Sequence, residues 1–86
     1  MNELKTWGEC LDYDLAHNIK HRPERGGYRS FLIYTDYFNR LRGRSVPVNR
    51  MSIEMMDLCG KELEEEGKAD ATINRFTSAI HAVLFF

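Results

Sequence analysis

Residues 68–86 read KADATINRFTSAIHAVLFF, and the placing of their apolar side chains decides how the chain folds. Ile73, Phe76, Ile80, Val83 and Leu84 recur at steps of three and four, the repeat that gathers side chains on one face of an α-helix. Asp70 stands ahead of the first of them as an N-cap. The opposite face carries Ala71, Asn74, Arg75, Ser78 and Ala82, with His81 beside it. That face is small or polar with one arginine, so it can approach a nucleic-acid duplex closely and still offer hydrogen bonds. Thr72, near the helix start, can give its hydroxyl and backbone amide to a phosphate.

The same periodicity recurs upstream. Residues 53–67, IEMMDLCGKELEEEG, follow Ser52, a second N-cap, and Met51 and Met56 take the positions of a hydrophobic staple. Met55, Cys59 and Leu63 continue the buried stripe, Gly60 weakens the helix, and Gly67 is placed to close it. Residues 28–42 put Phe31, Tyr34, Phe38 and Leu41 on one stripe; the aromatics would suit a strand, but strict alternation is absent. Their outer face carries Arg29, Ile33, Asp36 and Arg40, with Arg29 at the N-terminal end where anions are favoured. Residues from about Lys5 to His21, with Leu4 just ahead of them, place Leu4, Trp7, Leu11, Leu15 and Ile19 at helical spacing. Breaks at Pro23 with Gly26 and Gly27, at residues 43–47, and at Gly67 separate these pieces. Four short helices joined by short loops predict a small all-α bundle, a single domain over residues 1–86.

Several function classes find no support. No apolar run approaches the ~20 residues that cross a bilayer, and the start, MNELKTWGEC, lacks a basic leader before an apolar stretch. The expectation is a soluble, cytoplasmic chain without a membrane partner. Cys10 and Cys59 are far apart and out of ligand spacing, so they read as small buried hydrophobes. His17 and His21 have the i, i+4 spacing of a metal pair, but no third ligand is evident and Lys20 and Arg22 oppose a cation. Tyr13, Tyr28, Tyr34 and Tyr37 lack a His-x-x-Arg neighbourhood, and residues 62–66 read as a solvated acidic face. The chain is expected to be no enzyme by itself and to need no cofactor or metal.

Charge is more telling in its distribution than in its net value of −1. Residues 20–50 hold eight basic side chains (Lys20, Arg22, Arg25, Arg29, Arg40, Arg42, Arg44, Arg50) against Glu24 and Asp36, a balance of +6. The acids gather at Glu3, Glu9, Asp12 and Asp14 and at residues 62–66. Such a molecule can turn one positive face toward phosphates.

The order of these parts resembles the core-binding, SAM-like N-terminal domain of phage integrases and other tyrosine recombinases. The resemblance is carried by YRSFLIYTDYFNRLRG, RSVPVNRMS, IEMMDLCGKELEEEG and KADATINRFTSAIHAVLFF, with the TINR element and the following Ser78 its most specific part. It implies a SAM-like orthogonal four-helix domain that forms half of a clamp on double-stranded DNA at an attachment site. The other half would be a catalytic domain of the same parent protein, absent from this chain, supplying the arginines, histidine and tyrosine nucleophile of recombination. Position by position, the resemblance implies DNA contacts at Arg29 and Ser30 on the second helix and at Ala71, Thr72 and Arg75 on the fourth. Ala71 departs from relatives that are basic there. Arg40, Asn74 and Ser78 join the set from the helix faces. The end on AVLFF falls where a linker to the catalytic domain would begin, and the isolated domain is expected to be monomeric. The competing expectation is a helical protein–protein interaction module with no DNA role, favoured by the net charge and the acidic run; a free-standing phage regulator is a third.

Overall fold

A computed structural model describes residues 5–18, 22–24 and 26–84. Its elements are α1 (Trp7–His17), α2 (Tyr28–Arg42), α3 (Ile53–Glu65) and α4 (Asp70–Leu84), with one 3-10 turn at Val48–Arg50. The expected all-α, four-helix bundle is what the chain forms.

The N-terminus of α1 has a partner for each of its first donors. Thr6 is the N-cap: its hydroxyl accepts from the Glu9 amide, and the Glu9 carboxylate accepts from the Thr6 amide, a complete capping box. The next two amides reach across to the loop after α2. Trp7 N–H donates to the Val46 carbonyl and Gly8 N–H to the Arg44 carbonyl, both at 2.8 Å, while Val48 N–H donates to the Lys5 carbonyl. Residues 44–48 therefore run as a strap across the start of α1, in a single antiparallel bridge between Thr6 and Pro47.

α1 stops sooner than the sequence suggested. Asn18 takes extended geometry (φ −84°, ψ 111°), and its side-chain amide donates to the Asp14 carboxylate at 3.0 Å. An asparagine that bonds its own preceding turn offers the chain an alternative to helix. Leu4, Ile19, Lys20, His21 and Arg25 lie outside the described residues.

Ser52 caps α3, accepting from the Met55 amide. Met51 and Met56 both pack on the core, as a staple requires. The far end closes on Gly67 (φ +91°), where Gly67 N–H donates to the Glu64 carbonyl and Lys68 N–H to the Leu63 carbonyl. That paired geometry is a Schellman motif, and it needs the left-handed conformation glycine adopts without strain. α4 begins at its expected cap instead of after it. Asp70 is its first helical residue, and Ile73 N–H bonds to the Ala69 carbonyl. The Asp70 carboxylate still sits in the first turn, where the helix dipole favours it.

α4 packs against each of the other three helices, so the core forms around its stripe. Phe76, Ile80 and Val83 meet Trp7, Phe38, Cys59 and Leu63, all fully buried, with Phe31, Leu11 and Met56 around them. Trp7 and Phe38 stack at 5.0 Å between ring centres. Both cysteines are buried and free, and burial raises their thiols above the ordinary value. One of the early acids is inside the fold: Asp14 is 1% exposed. Among the described residues no helix is long and apolar enough to cross a membrane.

Candidate nucleic-acid interface

Residue numbers along α2 and α4 run in opposite directions where the helices touch. The start of α2 faces Arg75, Ser78, Ala79 and Ala82; further on, Tyr37 meets Phe76, and Arg40 meets Glu66 just ahead of α4. The pair is antiparallel, and a seam runs between them along the surface.

One end of that seam is a groove of about 310 Å³. Gly26 and Gly27 line it from the turn before α2, Ser30 and Tyr34 from α2, and Arg75, Ser78 and Ala82 from α4. Gly27 is the N-cap of α2, with φ +86°, and among the described residues no side chain caps this helix; its first turn carries no acidic residue. The contrast with α1 and α3, each closed by a hydroxyl, is direct. The start of α2 thus lies at a groove whose lining sets two hydroxyls and a guanidinium beside tyrosine, phenylalanine and alanine side chains. Hydroxyls, a guanidinium and the amides of a helix N-terminus are all donors suited to an anionic oxygen.

Of the eight residues expected to contact DNA, the structure gathers Ser30, Arg75 and Ser78 at this groove. Arg29 is exposed beside it on the first turn of α2. Ala71 lies on the same strip of α4 as Arg75, Ser78 and Ala82, at steps of four, three and four. Thr72 and Asn74 diverge: two residues apart on a helix is a turn of about 200°, so Thr72 sits half-buried toward the core while Asn74 is exposed on the other side. A single flat surface cannot meet both.

Arg40 is engaged elsewhere. Both arms of its guanidinium donate to the Glu66 carboxylate, at 2.9 and 2.8 Å. Arg42 holds Glu62 in the same bidentate way, and Arg44 bonds Asp12 at 2.7 Å and the Gly8 carbonyl. The expected separation into a basic segment and a solvated acidic face is therefore undone in three dimensions. The acidic run ends α3 with no basic residue in the last turn, where negative charge is disfavoured, and arginines from α2 supply the opposite charge across the gap. These bonds push the carboxyls of Glu62 and Glu66 below their ordinary value, the guanidinium hydrogen bond being the main cause. Arg29 and Arg75 form no ion pair among the described residues.

The sequence reading missed Lys68. Its ammonium lies 5.3 Å from the centre of the Tyr37 ring, and the Arg40 guanidinium lies 5.8 Å from the same centre. Tyr37 in turn stands 6.0 Å from Tyr34, which lines the groove. The seam thus continues from Arg75 through two tyrosines to a second pair of cations. Only the aromatic at position 37 hinted at this, since the loop 66–69 has no periodicity to read.

His17, half of the possible metal pair, is exposed against the Tyr13 ring at 4.2 Å, and His21 lies outside the described residues. Comparison with known proteins is silent: no family model, no curated protein and no solved structure matches the chain.

Proposed function

We propose that this chain is a DNA-binding domain that docks through the α2–α4 seam, and that it serves as the core-binding half of a tyrosine-recombinase clamp. The observation that carries the DNA reading is the groove at the start of α2, which joins the helix N-terminus, the Ser30 and Ser78 hydroxyls and an Arg75 guanidinium that has no ion pair among the described residues. Donors of that kind contact phosphate oxygens and position a protein on a duplex without reading its sequence. The exposed Arg29 and Asn74 stand beside them as candidates for further phosphate or base-edge contact.

The recombinase assignment rests on the order of sequence elements from about Tyr28 to Phe86 and on the four-helix fold. In this reading the strand-cleaving chemistry belongs to a catalytic domain of the parent protein that closes on the opposite side of the attachment site. Half a clamp makes half the contacts, so binding by this chain alone is weak and salt-sensitive. Fluorescence anisotropy with labelled duplex over a range of salt tests it. The expected result is a linear fall of log affinity with log salt; affinity independent of salt would overturn it.

A second reading has its own observation. Ile53 is 76% exposed and Leu58 54% exposed on α3, on a mainly acidic face that carries Glu54, Asp57, Glu64 and Glu65 with Lys61 among them. An acidic face edged by two exposed aliphatics suits a protein partner and repels DNA. It predicts no salt-dependent DNA binding and chemical-shift changes confined to α3 when the partner is added.

A further inference from the structure

The far end of the seam holds a bidentate arginine already bound to an internal anion. Arg40 and Lys68 flank the Tyr37 ring, and Glu66 accepts both arms of Arg40. We infer that Glu66 is a built-in competitor for DNA phosphate: it holds Arg40 in the free protein, and Arg40 passes from the carboxylate to a phosphate when a duplex docks along the seam. This rests on the DNA-binding reading and adds to it a second contact with its own restraint.

The exchange conserves hydrogen bonds. A carboxylate and a phosphodiester each present two oxygens to the fork of a guanidinium, so Arg40 keeps two donors satisfied in either state. The pair is open to such an exchange, with side chains 47% and 36% exposed. An exposed pair is weak enough to be broken, whereas the neighbouring Arg42, 23% exposed, is more enclosed. Lys68 stays behind as a second cation; its charge already acts on Glu66, helping to hold that carboxyl low after the larger effects of Arg40. Ten residues of helix separate Ser30 from Arg40, a rise of about 15 Å. That exceeds the ~12 Å width of the major groove by little, so the two ends of the seam are spaced to meet phosphates on its opposite walls.

The competitor acts only through Arg40, which makes it testable by a double-mutant cycle. Duplex affinity is measured by anisotropy for the wild type, Glu66→Gln, Glu64→Gln, Arg40→Gln and the Arg40→Gln/Glu66→Gln double variant, with circular dichroism confirming that each is folded. Glu64→Gln removes the same charge from the same helix end without freeing an arginine. The expected result is a gain of about two- to fivefold for Glu66→Gln, the scale of an exposed ion pair. The gain is smaller for Glu64→Gln and absent when Glu66→Gln is added to Arg40→Gln. A gain that Glu64→Gln reproduces, or that persists without Arg40, would overturn the competitor while leaving DNA binding intact. Failure of every variant to bind a duplex in a salt-dependent way would overturn the DNA reading and the competitor with it.

Discussion

Gly8 lies against the backbone of Arg44 so closely that a Cβ on Gly8 would stand 2.9 Å from the Arg44 carbonyl oxygen and 3.0 Å from its Cβ. The same carbonyl accepts the Gly8 amide at 2.8 Å. The strap over residues 44–48 and the first turn of α1 are thus fitted to a residue without a side chain.

Gly8→Ala should therefore destabilise the domain by about 1–3 kcal/mol, because the obstructing atoms are backbone and the strap must shift. Gly60, within α3, gives the opposite sign. A Cβ there meets only a methyl of Ile73 at 3.4 Å, so Gly60→Ala should stabilise by up to ~1 kcal/mol through helix propensity. Urea unfolding of the two variants checks the pair; equal signs would contradict this account.

Trp7 is fully buried, stacks on Phe38 and donates its indole N–H to the Asn39 side chain. Trp7→Ala should cost about 3–5 kcal/mol. A domain of 86 residues commands roughly 4–13 kcal/mol in all, so this one change removes a large share of the stability. Trp7→Phe keeps most of the apolar contact and should cost distinctly less. Denaturant midpoints for both variants test the order.

Acid should weaken the α2–α3 contact. Glu62 and Glu66 are held below their usual 4.5 by hydrogen bonds from Arg42 and Arg40. A carboxyl whose folded value is depressed adds stability that is fully present above its unfolded value. That contribution is lost as pH falls through the lower folded value. The fall in denaturant midpoint below about pH 4.5 should therefore be shallower in a Glu62→Gln/Glu66→Gln variant than in the wild type. An unchanged acid profile would show that these pairs do not persist in solution.

Arg75→Gln should weaken duplex binding and reduce the slope of log affinity against log salt by about 0.9, the value of one neutralised phosphate. Arg50→Gln, an exposed cation in the 3-10 turn away from the groove, should leave the slope nearly unchanged. Anisotropy titrations at several salt concentrations distinguish the two.

Periodicity made the helices legible and chemistry made their ends so. The stripes through Phe31 and Phe38, Cys59 and Leu63, and Phe76, Ile80 and Val83 are the core, and Ser52 and Gly67 do what their residue types suggest. The stop at Asn18 was not legible, because it depends on one side chain choosing Asp14 over the continuing helix. The charge pattern misled for a related reason. Linear distance set Arg40 and Arg42 apart from Glu66 and Glu62, while the fold brings the end of α3 to the end of α2 and pairs them. The seam was half legible: helix faces gave Arg75 and Ser78 and the family resemblance gave Ser30, but Lys68 lies in a loop with no repeat to betray it.

The central claim, that DNA docks on the α2–α4 seam, is tested most directly by an NMR titration of the labelled chain with a short duplex. The account predicts salt-sensitive amide shifts at Gly27, Arg29, Ser30, Lys68, Arg75 and Ser78, with the outer face of α3 around Ile53, Asp57 and Leu58 unmoved. Shifts confined to α3, or none at low salt, would contradict it.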